Sequence, residues 1–295
     1  MSIELTLGII ALFGTAMIGI PVAYAILTSV IVYLGYSGQD LAIAGETMVQ
    51  RLFDGFLLLA VPLFIVSANI MNAGSISDRL LHFCVALVGR FRGGLGHVNV
   101  VASLIFSGMS GSAVADAAGI GKLIIDMMVK NGRYTRGYAA AITAATATIG
   151  PIIPPSIPMV LYALVSNTSI GSLFLAGIVP GLLMGAVLMG MNALISRRRN
   201  FGQEDAVPLR ELPIVTARAT PALLMPVILL TGIYSGITTP TEAAAIAALY
   251  ALIVAKGLYR ALKFKTLVGV FVESARSAAS VGLVIGASMI LTYVV

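Results

Sequence analysis

The apolar and polar positions of this chain alternate in long blocks, and two apolar blocks break where a membrane helix normally continues. Residues 95–107 would make about 20 Å of helix at ~1.5 Å per residue. A bilayer core is about 30 Å thick, so an apolar run of this length reads as re-entrant. It ends in a small polar tip, Ser107-Gly-Met-Ser-Gly-Ser112, and a second short run covers residues 113–128. Basic residues stand at both feet: Arg90 and Arg92 before, Lys130, Arg133 and Arg136 after. Positive charge marks the cytoplasmic side of membrane segments. The pattern therefore predicts a helical hairpin over 93–129 that enters from the cytoplasm, turns near mid-membrane and returns.

Residues 137–166 are predicted as a broken helix. Pro151, Pro154, Pro155 and Pro158 separate a helix ending near 149 from one starting near 157. Each proline removes a backbone donor and blocks a continuous helix. Irregular backbone at membrane depth survives only when buried in protein or lining a wet cavity. Two such breaks, rich in hydroxyls and carbonyls, suit the midplane ion and substrate sites of secondary transporters.

The remaining blocks predict an all-α polytopic membrane protein. Residues 3–34 would span about 48 Å as one helix, so they must tilt, overrun or kink, with Gly19-Ile-Pro21 as the kink. Together with residues 35–54, an amphipathic arm helix carrying Glu46, Gln50 and Arg51, they form the first region, 1–54. The second region, 55–199, holds a span with Asn69 inside it (55–72), a short return (77–89), the hairpin, the broken helix and a span ending at Arg197-Arg-Arg199. Residues 200–219 are a polar cytoplasmic connector. Residues 220–295 hold spans at 222–237 and 241–255, joined by Gly236-Ile-Thr-Thr-Pro-Thr-Glu242, and a last apolar run with Glu273 and Arg276. This last region starts from the opposite side, as the second half of an inverted repeat would. Such transporters use two hairpins and two broken helices, so the second repeat is expected to be incomplete, with its hairpin beyond residue 295.

Composition agrees with the membrane reading. Of 295 residues, 59% are hydrophobic and 10% charged, against roughly 25% charged in a soluble domain. A net charge of +6 raises nucleic-acid binding as a class. Yet every Lys and Arg except Arg79, Lys122 and Arg276 falls in segments assigned to one side, which is the positive-inside pattern rather than a nucleic-acid face. One cysteine, Cys84, excludes an internal disulfide or a cysteine-built metal site. The first apolar run is too long for a signal-peptide core and lacks a basic start, so it is expected to stay attached. With no Trp, interface anchoring falls to tyrosines such as Tyr33, Tyr36, Tyr234 and Tyr259.

Ser110 and Ser112 at the tip are candidate ion ligands beside the 150–158 break. Hydroxyls and helix-end carbonyls are hard oxygen donors, and carbonyl ends carry the negative dipole. The half-helix starting near Ser112 aims its positive end at the same region, which suits a substrate carboxylate. The plain alternative for either serine is a helix cap or close packing. Asp116 reads equally as a functional carboxylate and as a hydrogen bond holding the hairpin together. Lys122 and Asp126, four residues apart, read as a local pair near the foot. Asn69 reads as a helix–helix hydrogen bond, Glu242 as a first-turn helix charge, and Glu273 with Arg276 as a pair. An intramembrane serine hydrolase using Ser110 in Gly108-Met-Ser-Gly-Ser is the rival class. His97 would be its base but lies roughly 20 Å away along the arm. A channel or purely structural subunit is a third class.

Six motifs in order resemble the large membrane subunit (DctM) of tripartite ATP-independent periplasmic (TRAP) transporters. They are Val61-Pro-Leu-Phe64 with Asn69-Ile-Met71, Gly93-Gly-Leu95, Ser110-Gly-Ser-Ala-Val-Ala-Asp116, Gly150-Pro-Ile-Ile-Pro-Pro-Ser156, Phe174-Leu-Ala-Gly177 with Pro180-Gly181, and Tyr234-Ser-Gly-Ile-Thr-Thr-Pro-Thr-Glu242. The resemblance implies an elevator-type, sodium-driven symporter in a bacterial inner membrane. It implies a carboxylate substrate (a C4-dicarboxylate, sialic acid or similar organic acid) delivered by a periplasmic binding protein, and a small four-helix membrane subunit as partner. A transporter of organic anions working without a binding protein is the alternative. Sodium is the only cofactor implied. Its ligands fall on Ser110, Gly111, Ser112, Gly150, Ile153 and Pro155, and the substrate contacts on Ser112, Asp116, Pro154 and Ser156. No catalytic residue is implied.

Overall fold

The structure is a computed structural model that describes residues 2–74, 76–130, 132–166, 168–203, 208 and 210–294. The described residues form helices and turns without a strand. They divide into two compact units, Met1–Leu58 with Ala275–Val295, and Leu59–Ser274.

In the first unit, α1 (Ile3–Met17) starts at Ser2, whose hydroxyl accepts from the N–H of Leu5. The single kinked helix expected over 3–34 is replaced by two helices. Gly19 takes φ +92°, and α2 (Val22–Tyr36) begins after Pro21. The left-handed glycine and the missing proline donor let the chain reverse rather than bend. As a result α1 packs along α2, and the Ser29 hydroxyl donates to the Gly8 carbonyl at 2.7 Å. Along one continuous helix those residues would lie roughly 30 Å apart. Each helix has 15 residues, or about 22 Å, which falls short of a bilayer core. The amphipathic α3 (Ala42–Asp54) sets Ala44 and Met48 on the core of Val30, Leu34 and Ile290, and leaves Val49 and Phe53 exposed. Ile290 belongs to α14 (Phe264–Val294).

In the second unit, α4 (Ala60–Ala73) packs along α13 (Pro240–Leu252), and α5 (Ile76–Val88) packs along α12 (Leu212–Tyr234). The Asn69 side chain donates to Ser274 Oγ of α14 at 2.9 Å, so it joins two helices. The α12 helix begins at Leu212, with Pro213 in its first turn. Part of the connector expected over 200–219 is therefore helical, because a proline fits where no intrahelical donor is needed. Residues 204–207 and 209 of that connector lie outside the described residues. Thr239 and Glu242 form a capping box at the start of α13, with Thr239 N to Glu242 Oε2 at 2.7 Å and Glu242 N to Thr239 Oγ1 at 3.3 Å.

Among the described residues four helical segments are long and apolar enough to cross a membrane: α11 (Ile170–Arg199), α12, α13 with its continuation to Leu258, and α14; the bent pair α4 and α5 would make a fifth if it is one span. The chain is thus a multi-pass membrane protein by length and composition.

Candidate functional site

The hairpin segment is built from α6 (Gly94–Ser110), α7 (Ala113–Asp116), a wide helical turn over Ala117–Gly121, and α8 (Lys122–Val129). The broken segment is α9 (Arg136–Ala147) followed by α10 (Ile157–Ser166). All lie within the second unit.

The two arms part at Gly111, which ends α6 with φ +61°. Glycine occupies this left-handed position at no steric cost. Ser112 then caps the second arm, accepting from the N–H of Ala115 at 3.4 Å. One turn on, Asp116 is buried. Its two carboxylate oxygens accept from two serines at the end of the first arm: Ser107 at 3.1 Å and Ser110 in a short bond. The carboxylate thereby ties the start of the second arm to the end of the first.

After α9 the chain turns through 148–156. The N–H groups of Ile152 and Ile153 both donate to the Ile149 carbonyl, at 2.9 and 3.0 Å. The peptide between Pro154 and Pro155 is cis. Ser156 is fully buried; its hydroxyl donates to the Pro151 carbonyl and accepts from Met159 N at 3.3 Å, so it caps α10. Ile153 turns its side chain towards Gly181 of α11, where a β-carbon would have no room.

Tip and break meet. The N–H of Ile157 donates to the Gly111 carbonyl at 3.3 Å. A β-carbon on Gly111 would overlap the Pro155 carbonyl. A β-carbon on Gly150 would lie 2.6 Å from Asp116 Oδ2 and 3.1 Å from Ala113 N. Ser110, Gly111, Ser112, Asp116, Gly150 and Pro155 therefore share one small region. Pro154 approaches it from the α6 side: its carbonyl is 3.8 Å from where a β-carbon of Gly108 would stand. Ile153 and Ser156 border the region with side chains already committed to α11 and to the α10 cap. Two helices (α6 and α9) end here and two (α7 and α10) begin here. Carbonyl ends favour a cation and N–H ends favour an anion, and both kinds of end meet in this region.

Two buried side chains that matter to this assembly were not singled out from sequence. Asn99 on α6 donates to Thr143 Oγ1 at 2.7 Å and accepts from Thr146 Oγ1 at 2.9 Å, joining α6 to α9. Asn192 on α11 donates to the Gly93 carbonyl at 3.2 Å and accepts from the Tyr138 hydroxyl at 2.6 Å, fixing the foot. The available signal was an amide in an otherwise apolar helix, which is costly unless it is paired.

The hydrolase constellation does not assemble. His97 stands at the start of α6 against Phe91, ring to ring at 6.3 Å, and Ser110 stands at the far end of the same helix.

The sequence pattern of the family described as "Tripartite ATP-independent periplasmic transporter, DctM component" matches residues 9–295. The sialic acid TRAP transporter large permease protein of Vibrio cholerae is 41% identical over 92% of this chain and 64% of its own length. The C4-dicarboxylate TRAP transporter large permease protein of the same organism is 40% identical over 85% of this chain and 55% of its own length. The 2,3-diketo-L-gulonate TRAP transporter large permease protein of Escherichia coli is 38% identical over 96% of this chain and 67% of its own length. The chain thus spans between about half and two thirds of the length of these relatives. With the profile matched across nearly all of its residues and identity near 40% to several large permeases, the chain belongs to the DctM family of TRAP transporter components.

Proposed function

We propose that this chain carries the first coupling site of a sodium-driven carboxylate importer. As a member of a transporter family it is not an enzyme. The observation that carries the reading is the direct seat of the tip on the break, Ile157 N to the Gly111 carbonyl. It supports a single ion position bordered by Ser110, Gly111 and Ser112 on one side and Gly150, Ile153 and Pro155 on the other. The substrate carboxylate would sit beside it, against the half-helix starts at Ser112 and Ser156 and near Pro154. For Asp116 the hairpin-holding role is preferred, because both its oxygens already accept serine hydroxyls and a carboxylate repels an anionic substrate.

The carboxylate class is supported by the names of the relatives, which give sialic acid, C4-dicarboxylates and 2,3-diketo-L-gulonate for those proteins. In this reading the chain works in a bacterial inner membrane, by elevator-type movement, with a small membrane subunit and a periplasmic binding protein. The 93–129 hairpin would enter from the cytoplasm. The test is uptake of labelled sialic acid and C4-dicarboxylates by the assembled transporter in proteoliposomes. Uptake should need a sodium gradient and the binding protein. Equal uptake with potassium in place of sodium would overturn the coupling; uptake without a binding protein would favour a two-component transporter.

A further inference from the structure

We infer that Asn99, with Thr143 and Thr146, is a positioning device that sets the tip of the hairpin against the break in the neighbouring helix. The inference rests on the sodium-site reading above.

The three residues are buried, with exposures of 0%, 3% and 0%. Asn99 uses both ends of its amide on α9: the nitrogen on Thr143, the oxygen on Thr146. Thr143 and Thr146 are three apart and share one helical face, so a single amide reads both and fixes rotation as well as register. Thr143 touches the second arm too, since a β-carbon on Gly121 would lie 2.6 Å from its Cγ2. Both arms of the hairpin thus meet the broken helix at this level. Thr146 is one turn before Gly150, and α6 runs unbroken from Asn99 to Ser110, with Gly111 as its cap. A slip of α6 along α9 would carry Gly111 off Ile157, and Asp116 off Gly150, by the same distance.

Plain helix–helix adhesion would also use a buried amide. The two roles differ in what they change. Adhesion alters stability whatever the ion, whereas positioning alters the ion's apparent affinity, although none of the three residues belongs to the proposed ion position.

The assembled transporter in detergent is therefore melted in potassium and in increasing sodium. Thr146→Val removes the hydroxyl at nearly constant shape, and Thr146→Ser keeps it. The wild type should gain stability as sodium is added. Thr146→Val leaves the buried Asn99 oxygen without its donor, so its potassium melt should fall, and in addition its sodium midpoint should rise by about three- to tenfold. A fall in the melt with no change of midpoint is the adhesion outcome, and Thr146→Ser should restore the wild-type midpoint. If Thr146→Val does not assemble, Thr143→Ser supplies the second arm: it keeps the bond to Asn99 and loses the methyl against Gly121, and its sodium midpoint should also rise. A wild type that responds to sodium, with midpoints unchanged in the variants, overturns the positioning role alone. A wild type with no sodium response overturns the sodium-site reading, and this inference with it.

Discussion

Gly150 stands against Asp116 so closely that a single added methyl group would lie 2.6 Å from Oδ2. The residue that opens the break and the residue that clasps the hairpin are thus in direct apposition. Backbone atoms of Ser112 and Ala113 lie 3.1 Å from the same point, so the tip closes around Gly150 on more than one side.

This predicts the outcome of Gly150→Ala. The methyl must push the tip away, and displacements near 1 Å at a reacting or binding centre cost up to about 100-fold. Uptake by the assembled transporter should fall at least roughly tenfold, with membrane insertion retained. Gly190→Ala in α11 is the control, since nothing lies within 4 Å of its added carbon. It should leave uptake unchanged and stabilise the helix by about 0.5–1 kcal/mol. Equal effects of the two substitutions in uptake and melting assays would show that tip and break are not in tight contact.

Ser112 and Ser110 should both register in a sodium titration of uptake. Ser112→Ala loses a helix cap, worth about 1 kcal/mol, and one candidate sodium oxygen. Ser110→Ala loses another oxygen and leaves Asp116 with Ser107 as its remaining serine donor. Both should weaken sodium dependence and lower the melting temperature in potassium, Ser110→Ala the more, because it takes a donor from a buried carboxylate. An unchanged sodium titration in both variants would remove the serines from the site.

The reversal between α1 and α2 has its own test. Gly8 faces Ser29 and Tyr33, its added carbon 3.3 Å from the Ser29 carbonyl, whereas Gly14 on the same helix has nothing within 4 Å. Gly8→Leu should therefore overpack the pair and cost about 1–3 kcal/mol, seen as a lower melting temperature, while Gly14→Leu should not. Were residues 3–34 one continuous helix, the two variants would melt alike.

Sidedness is checked with thiols. Cys84 is buried, and Cys84→Ala gives a background without reactive sulfur. Gln203→Cys and Thr168→Cys fall on exposed residues beyond the two ends of α11, whose 30 residues span about 45 Å. An impermeant maleimide should label the first only from the cytoplasm and the second only from outside. The reverse pattern would overturn the proposed entry side of the hairpin.

The features legible in the sequence are those governed by local sterics and short reach. The end of α6 within the Ser107–Ser112 tip, the interruption at Pro151, Pro154 and Pro155, and Glu242 as a charge in the first turn of α13 each arise from backbone geometry within a few residues. The membrane class likewise follows from summed composition, which needs no partner. What tertiary structure alone decided are pairings between distant residues. Gly19 and Pro21 announce a break, but whether the chain bends or reverses depends on Ser29 meeting Gly8. Asn99 and Asn192 read as isolated amides until partners 44 to 99 residues away satisfy them. Asp116 stood equally between two roles, and its hydroxyl donors were decided by the way α6 and α7 fold back on each other. An unsatisfied polar group in an apolar setting announces that it must have a partner, because leaving it unpaired is costly. Which partner it takes is fixed by packing between helices far apart in the chain, here α6 with α9 and α11.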